Sequence, residues 1–573
     1  MSQVMLTIDG IQVAAEPGTS VLEAAKKAGI KIPTLCYLEE INAIGACRIC
    51  LVEVQGARTL QTSCVTPVAD GMVVRTNTPA VRRARKLNLE LIMSNHPREC
   101  LTCPRNTNCE LQRLASELGL DEIRFAGDTP PYEPDRSSPS LVRDPRKCIL
   151  CRRCVSVCEK VQQVSAIAPQ ERGFKTIVAP AFLEPLGDVA CVNCGQCALV
   201  CPTAAIHEKD QTAEVWAALA DPGKHVVVQT APAVRVSIGE MFGLAPGSVV
   251  TGQLVAALRR LGFAKIFDTD FTADLTIMEE GSELIKRLRE GGKLPLITSC
   301  SPGWIKFIEH FYPELLPHLS TCKSPQQMFG ALAKTYYAEK AGISPDDIFV
   351  VSIMPCTAKK FEAGREEMNG SGRRDVDVVL TTRELGKMLK EAGIDFSALP
   401  EEAYDDPLGI STGAGVLFGS TGGVMEAALR TAYELVTGDT PPSLDFNEAR
   451  GLEGIKEASV DLKGTTLNVA VAHGLANARE ILERVKNGHP YHFIEVMCCP
   501  GGCIGGGGQP IPTNNEIRAK RTAGIYSADR AMQLRKSHEN PAVQALYQEF
   551  LGEPLSHKSH ELLHTRYVPR SRY

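Results

Sequence analysis

The cysteines are the residues of this chain whose type and spacing most directly indicate chemistry. Fifteen of the 21 cysteines lie within the first 201 of 573 residues, and the other six are scattered over the remaining two thirds. Cysteine thiolates grouped at short spacings bind iron-sulfur clusters or zinc. The uneven distribution predicts a series of electron-carrying centres joined to a separate reaction centre.

Two of the four N-terminal cysteine groups have the spacing C-x2-C-x2-C-x3-C. In two-cluster bacterial ferredoxins, which have this spacing, the fourth cysteine of each run ligates the cluster of the other run. We therefore expect one 4Fe-4S cluster at Cys148, Cys151, Cys154 and Cys201, and a second at Cys158, Cys191, Cys194 and Cys197. A structural zinc site would show paired C-x2-C knuckles instead of two runs of four cysteines.

The other two groups lie nearer the N-terminus. One consists of Cys36, Cys47, Cys50 and Cys64, and the other of His96, Cys100, Cys103 and Cys109. Four thiolates in one short domain fit a 2Fe-2S centre, with zinc as the alternative, and the His/Cys3 set fits zinc or a 4Fe-4S cluster. Both regions resemble the start of the large iron-sulfur subunit of respiratory complex I, and this resemblance favours iron-sulfur clusters at both.

The elements that must position these cysteines predict an α+β multidomain protein. Residues 1–79 predict a β-grasp 2Fe-2S domain, with a hairpin turn at Asp9-Gly10 and a helix capped by Ser20. Residues 80–125 form the small His/Cys cluster domain, which begins with a helical stretch. Residues 126–208 form the two-cluster ferredoxin domain, entered through a linker rich in Pro, Ser and Asp.

From residue 209 to residue 573 the pattern predicts an α/β domain of two parallel-sheet lobes. Apolar, β-branched runs at 225–231, 294–299, 348–354, 376–382, 467–474 and 491–497 alternate with helical stretches. Three of these runs end directly at cysteine, namely at Cys300, at Cys356 and at the pair Cys498-Cys499, and Cys503 follows on a glycine-rich loop. Because open α/β folds bind ligands outside the carboxyl ends of their strands, we expect the reaction centre there.

The stretches around these cysteines resemble the three signature loops of iron-only (FeFe) hydrogenases. They read TSCSPGW at 298–304, MPCTAKKFE at 354–362 and EVMCCPGGCIGGGGQP at 495–510. With the accessory cluster region, the resemblance covers essentially the whole chain. It implies an H-cluster, which is a 4Fe-4S cubane joined through a cysteine sulfur to a diiron unit carrying CO, cyanide and an azadithiolate bridge. The implied activity is the reversible reaction of two protons and two electrons to H2.

The resemblance also assigns roles to individual residues of this chain. Cys356, Cys499 and Cys503 resemble cubane ligands, with Cys503 shared with the diiron unit. Lys359 and Gln326 resemble the residues that hydrogen-bond the cyanides, and the backbone around Ala231 and Pro232 resembles part of the same cradle. Met354 and Met497 resemble residues that line the diiron pocket. Glu280, Glu283, Ser320 and Arg287 match the family's proton path, for which burial would raise the carboxyl pKa toward neutral pH. Without the resemblance, Glu280 would be read as a solvated helix charge.

The first loop departs from the family, which usually has two adjacent cysteines there. Aligned literally, Cys300 takes the position of the proton relay and Ser301 the position of the cubane ligand. Since thiolate binds iron far better than a hydroxyl does, we expect a loop adjusted so that Cys300 ligates the cubane. The relay role is then open, and the Ser301 hydroxyl is able to carry a proton. Cys322 and Cys498 are expected to be unliganded buried thiols.

Composition limits the other possibilities. A net charge of -5 provides no basic field for nucleic acid, and no 18-residue apolar run predicts a membrane span. The N-terminus lacks a secretory signal pattern, which favours the cytoplasm. The resemblance to the hydrogenases implies anaerobic hydrogen metabolism. No dinucleotide-binding fingerprint follows a strand, so any nicotinamide chemistry must come from partner subunits. We expect electron exchange with ferredoxin, with flavin- and NAD(P)-binding partner subunits, or with both. The resemblance also implies that maturation proteins insert the diiron unit. The alternative is an H2 sensor or a purely electron-transferring subunit.

Overall fold

The N-terminal part of the chain is a mixed β-sheet that packs against one helix, seen in a computed structural model that describes residues 3–464 and 466–572. Its elements are β1 (Val4–Ile8), β2 (Ile11–Ala15), α1 (Val21–Lys27), β3 (Leu51–Val54), β4 (Gln61–Thr62) and β5 (Val73–Arg75), with strand order β2-β1-β5-β3-β4. Asp9 and Gly10 both have positive φ, as the predicted two-residue hairpin requires. The Ser20 hydroxyl accepts the Glu23 N–H, which confirms the predicted cap of α1.

Two short regions connect this sheet to the C-terminal half. The first contains α2 (Pro79–Ser94) and α3 (Glu110–Glu117), and the second contains β6 (Leu141–Arg143), α4 (Arg153–Ser156), β7 (Ala168–Gln170), β8 (Ile177–Ala179), α5 (Gln196–Val200) and β9 (Ile206–Glu208). The helix predicted after residue 79 is confirmed as α2, which starts with Pro79 directly after its cap Thr78. In the second region β6 pairs with β9 and β7 with β8, so the two halves of the cysteine pattern fold together.

The C-terminal half contains two four-stranded sheets and fourteen α-helices among the described residues. Its elements are α6 (Thr212–Ala220), β10 (His225–Thr230), α7 (Thr251–Leu261), β11 (Lys265–Asp268), α8 (Thr269–Glu290), β12 (Leu296–Ile297), α9 (Pro302–Phe311), α10 (Pro325–Leu332), α11 (Ala338–Ala341), β13 (Ile348–Met354), α12 (Ala358–Ala363), β14 (Val378–Thr381), α13 (Thr382–Glu391), α14 (Gly413–Leu417), α15 (Gly423–Thr437), β15 (Ile455–Asp461), β16 (Thr466–His473), α16 (Leu475–Lys486), β17 (Phe493–Met497), α17 (Asn515–Ala531), α18 (Pro541–Leu546) and α19 (His557–Leu563). No helix in the described part of the chain is long and apolar enough to cross a membrane.

The two sheets form the two lobes that the sequence predicts. The first has the order β11-β10-β13-β14 and is parallel throughout, and the second has the order β12-β17-β16-β15. The second sheet differs from the prediction because its edge strand β15 runs antiparallel to β16. All six predicted runs form strands, whereas β11 and β15 were not predicted. β11 has only four residues, and β15 alternates apolar and polar residues at a partly exposed edge.

Helix α8 connects the two lobes and is buried along most of its length. Asp268 caps its N-terminus by accepting the Asp270 N–H, and Gly291 ends it in the left-handed conformation. The helix packs against α10, α14 and α15. Because two lobes and three helices enclose it, acidic side chains on its inner face are forced into the protein interior.

Candidate functional site

A cavity with an empty volume of about 780 Å³ lies where the carboxyl ends of β12, β13 and β17 meet. Five of the six C-terminal cysteines line it, and they are Cys300, Cys356, Cys498, Cys499 and Cys503. Cys322 is the C-terminal cysteine that does not line the cavity, since it is fully buried elsewhere. The structure therefore brings together all four cysteines that the sequence predicts at the reaction centre, and it adds Cys498.

The glycine-rich loop after β17 closes one side of the cavity through backbone contacts. Gly502 has φ +88, and a Cβ atom there would lie 2.6 Å from the Thr421 backbone nitrogen. A Cβ atom on Gly506 would lie 2.2 Å from the Pro355 carbonyl oxygen. Only glycine fits such positions, so the loop can bring Cys503 against the segment that carries Cys356.

A polar corner of the cavity is built around a buried ion pair. The Lys359 ammonium donates to Glu362 Oε2 at 2.9 Å and to the Cys300 carbonyl oxygen at 3.1 Å. Gln326 Nε2 donates to the same Glu362 oxygen at 3.0 Å, while its Oε1 is buried and has no hydrogen-bond partner. An ammonium and an amide held beside a thiol-lined cavity fit a polar, negatively charged group bound inside it.

The rest of the wall is apolar. Met354 and Met497 are buried and line the cavity, as do Ala231 and Pro232. The Ala231 N–H already donates to the Ile353 carbonyl at 3.0 Å, and proline has no N–H, so these two residues supply surface without free backbone donors. Such a wall excludes water from whatever the cysteines hold.

The four residues predicted as a proton path lie together beside the cavity. Ser320 Oγ donates to Glu283 Oε2 at 3.1 Å, and Arg287 Nη2 donates to Glu283 Oε1 at 2.6 Å. Glu280 lies one helical turn earlier on α8. Burial raises the pKa of Glu280 to about 8, helped by the nearby Glu283 and Glu495 carboxylates and opposed by the Ser320 hydroxyl. A buried carboxyl that is protonated near neutral pH can pass a proton in either direction.

The Cys300 thiol faces this path. Burial raises its pKa well above the usual value, and the Glu280 carboxylate adds to the effect while Lys359 opposes it. Its side chain packs in an apolar cluster that also contains Met497 and Phe418. Cys300 therefore lies between the polar corner and Glu280.

The N-terminal cysteines form four separate groups. Cys148, Cys151, Cys154 and Cys201 line a cavity of about 420 Å³, and Cys158, Cys191, Cys194 and Cys197 line one of about 480 Å³. His96, Cys100, Cys103 and Cys109 line a third, of about 350 Å³. In the first domain the thiols of Cys50 and Cys64 are 3.3 Å apart, and those of Cys36 and Cys47 also interact.

The donor set around His96 fits a metal cluster. Its Nδ1 is buried without a hydrogen-bond partner. Burial lowers the pKa of His96 to about 4, with a contribution from the Lys147 ammonium. A neutral imidazole with a free nitrogen, facing three thiols, is ready to bind a metal.

Direct contacts connect the groups. Asn42 Nδ2 donates to the Cys36 carbonyl at 2.7 Å and to the Cys151 carbonyl at 3.1 Å, which joins the first domain to the ferredoxin domain. At the other end, Gln196 Nε2 donates to the Gly505 carbonyl at 2.9 Å. Cys194 itself lines the large cavity. Hydrogen bonds therefore link the segments that carry the cysteine groups, from the N-terminal sheet to the C-terminal cavity.

Sequence reasoning missed several of these residues. Asn42 and Gln196 carry no motif of their own, and their partners are far away in sequence. Glu362 ends the second signature stretch, but no role was assigned to it from the sequence. Cys498 had a visible signal, because it adjoins Cys499 while Ser301 stands where the first loop usually carries a second cysteine.

Five known families match consecutive parts of the chain. Residues 224–507 match the iron only hydrogenase large subunit, C-terminal domain, and residues 515–570 match the iron hydrogenase small subunit. Residues 1–79 match a 2Fe-2S iron-sulfur cluster binding domain. Residues 85–124 match the NADH-ubiquinone oxidoreductase-G iron-sulfur binding region, and residues 147–205 match a 4Fe-4S dicluster domain.

Individual relatives are similar over the same range. The NADP-reducing hydrogenase subunit HndD of Solidesulfovibrio fructosivorans is 53% identical over 585 residues, covering 100% of both chains. Iron hydrogenase 1 of Clostridium pasteurianum is 43% identical over 98% of this chain and 99% of its own. The structure of an apo variant of the FeFe hydrogenase HydA1 from Chlamydomonas reinhardtii superimposes with a TM-score of 0.57 at 49% identity, covering 63% of this chain and 100% of that one.

Proposed function

The chain belongs to the iron-only (FeFe) hydrogenase family, and on that premise we propose that it catalyses the reversible reaction 2H+ + 2e- to H2 in the C-terminal cavity. The observation that carries this proposal is the convergence of three cysteine-bearing loops on one apolar cavity beside a buried carboxyl pair. When bound there, an H-cluster supplies the redox and hydrogen-binding chemistry.

The residues of the cavity divide into ligands and positioning groups. Cys356, Cys499 and Cys503 would bind the cubane, with Cys503 shared with the diiron unit. The Lys359 ammonium and the Gln326 amide would hold the cyanides of that unit, because a charge-assisted hydrogen bond fixes orientation more strongly than a neutral one. The free Gln326 Oε1 and the apolar wall support this assignment.

Protons move along residues of α8 and its neighbours. Glu280, protonated near neutral pH, exchanges protons with the cavity on one side and with Ser320 and Glu283 on the other. Arg287 is half-buried at the outer end and pairs with Glu283. Hydroxyl and carboxyl groups can each accept and donate a proton, so a chain of them passes protons through the interior.

Electrons reach the cavity through the N-terminal centres, which we assign as one 2Fe-2S cluster and three 4Fe-4S clusters. Asn42 couples the first domain to the ferredoxin domain, and the loop at Cys194 contacts the cavity itself. The two ferredoxin groups and the His96 group each line a cavity of their own, which supports separate clusters.

For partners, we propose flavin- and NAD(P)-binding subunits, with ferredoxin as the additional or alternative partner. The relative HndD is named as a subunit of an NADP-reducing hydrogenase and matches this chain over its full length. Maturation proteins would insert the diiron unit. We place the protein in the cytoplasm, where NAD(P)H and ferredoxin are available.

The direct test is turnover in both directions with the full chain after maturation. We expect H2 release from a reduced viologen dye, and dye reduction under H2. Cys503→Ala should abolish both reactions, whereas the control variant Glu290→Gln, at the exposed C-terminal end of α8, should keep them. Wild-type protein that carries its iron and yet catalyses neither reaction would contradict the proposal and favour a sensor or a pure electron carrier.

A further inference from the structure

The cubane has three clear thiolate ligands on this chain and needs a fourth. The family position for that ligand holds Ser301, and the sequence alone favours Cys300 as the replacement. We propose instead that Cys498 is the fourth cubane ligand and that Cys300 remains a free thiol on the proton path. This inference rests on the proposed function, since it concerns the same cavity.

The first step of the argument is the position of Cys498 relative to Ser301. The Cys498 N–H donates to Ser301 Oγ at 3.2 Å. The two residues therefore face each other across the same corner of the cavity, one from the loop after β12 and one from the loop after β17. The loop after β17 can therefore supply the ligand that the loop after β12 lacks, and the ligand still lies at the same corner of the cavity.

The second step is the space that the Cys498 side chain occupies. A Cβ atom on Gly303 would lie 2.7 Å from Cys498 Sγ, so only glycine at this position leaves room for the thiol. Gly303 belongs to the first turn of α9, where free backbone N–H groups and the helix dipole favour a thiolate. The site thus has room for the sulfur beside the first turn of a helix.

The third step is the set of residues that surround the Cys498 and Cys300 thiols. Cys498 packs with Cys499 and Cys194 in one apolar cluster. Cys300 packs in a different cluster, and the groups that act on its thiol are Glu280, Lys359, Cys503 and Glu495. Both thiols therefore lie near a predicted cubane ligand, but Cys498 faces the ferredoxin side through Cys194, whereas Cys300 faces the Glu280 carboxyl of the proton path.

Two consequences follow for the reaction. Binding of Cys498 to iron replaces its S–H bond by an S–Fe bond and releases one proton, as for any thiolate ligand. Because Cys194 is a predicted ligand of the nearest ferredoxin cluster, the two ligand sulfurs would then be in contact across the electron path. Cys300 keeps its S–H group and completes the proton path between Glu280 and the diiron unit.

The test uses the full chain made without the diiron maturation proteins, so that the cubane alone occupies the cavity. We measure iron and sulfide per chain, and the electron paramagnetic resonance spectrum of the reduced protein. Cys498→Ala should lose about four iron atoms and the cubane signal, while Cys300→Ala and the control Cys322→Ala should lose neither. The double variant Ser301→Cys/Cys498→Ala should regain both, which separates loss of a ligand from misfolding.

The variants also separate this inference from the function on which it rests. After maturation, Cys300→Ala should keep its iron but lower H2 turnover by about 10²-fold or more. A full iron count in Cys498→Ala, or loss of cubane iron in Cys300→Ala, would overturn the assignment of Cys498. The proposed function would fail separately if matured wild type showed the predicted iron pattern but no H2 turnover.

Discussion

Replacing Glu280 by glutamine removes one ionisable group from the interior of α8 and keeps the side chain's shape. Glu280 is 2% exposed, and burial raises the pKa of its carboxyl from 4.5 to about 8. The folded protein should therefore hold this proton at neutral pH, with about nine tenths of the carboxyl protonated at pH 7. Glutamine imitates that protonated form, whereas aspartate at the same position does not.

The energetic consequence follows from linkage. At about 1.4 kcal/mol for each pKa unit, a change from 4.5 to about 8 corresponds to about 5 kcal/mol. Below pH 4.5 the carboxyl is protonated in the folded and unfolded chains alike, so wild type and Glu280→Gln should differ little. As pH rises from 4.5 to 8 the unfolded chain ionises first, so wild type loses stability relative to the variant. Above pH 8 the full difference should be reached.

Two assays check this, both on the chain with its accessory clusters but without the diiron unit. Infrared difference spectra of wild type minus Glu280→Gln should show the C=O stretch of a protonated carboxyl, which disappears as pH rises through about 8. Calorimetry should show the variant's C-terminal transition rising relative to wild type over the same range. Glu290→Gln, at the exposed end of α8, is the matched control. A carboxyl band lost near pH 4.5, or a stability difference independent of pH, would refute the reasoning.

Three further substitutions test the cavity and its electron supply. Lys359→Met removes the partner of the buried Glu362 carboxylate and should lower turnover by about 10²-fold or more, with weakened cyanide infrared bands. Lys359→Arg should recover part of the turnover and of the band intensity. Unchanged cyanide bands in Lys359→Met would count against the cyanide contact. Gly502→Ala places a Cβ atom 2.6 Å from the Thr421 nitrogen at φ +88 and should cost about 1–3 kcal/mol of stability, seen as a lower melting temperature with loss of cubane iron; an unchanged melting temperature and iron content would show that the loop is not constrained. Asn42→Ala should leave turnover with a small dye unchanged and slow turnover driven by a partner that enters at the first domain; equal slowing with both donors would contradict the proposed path.

Much of the fold could be predicted from the sequence because buried parallel strands contain runs of β-branched residues. The strands β10 and β13 read HVVVQT and IFVVSIM, so each has a buried β-branched centre, and both are central strands of the first sheet. The edge strand β15 was not predicted because its exposed face carries Glu457, Ser459 and Asp461, a composition that loops share. Its antiparallel direction is set by packing of the second lobe, which no local pattern reports.

The candidate site was predictable as far as residue spacing reaches. Cysteine runs indicate which residues group together, and strand ends indicate where three loops must meet. Contacts between distant segments are different, because Asn42 meets Cys151 and Gln196 meets Gly505 only once the domains have docked. The orientation of a thiol is equally hidden, since Cys300 and Cys498 both follow strands and only three-dimensional packing separates their roles.

The central claim is that the C-terminal cavity holds an H-cluster on the cysteines of this chain, and one measurement tests it most directly. The infrared spectrum of the full chain, purified after expression with the maturation proteins, should show CO and cyanide stretching bands that change when H2 is added. The same bands should be missing in Cys503→Ala protein that keeps its accessory clusters. Absence of CO and cyanide bands from matured wild-type protein with a full complement of cubane iron would contradict the account.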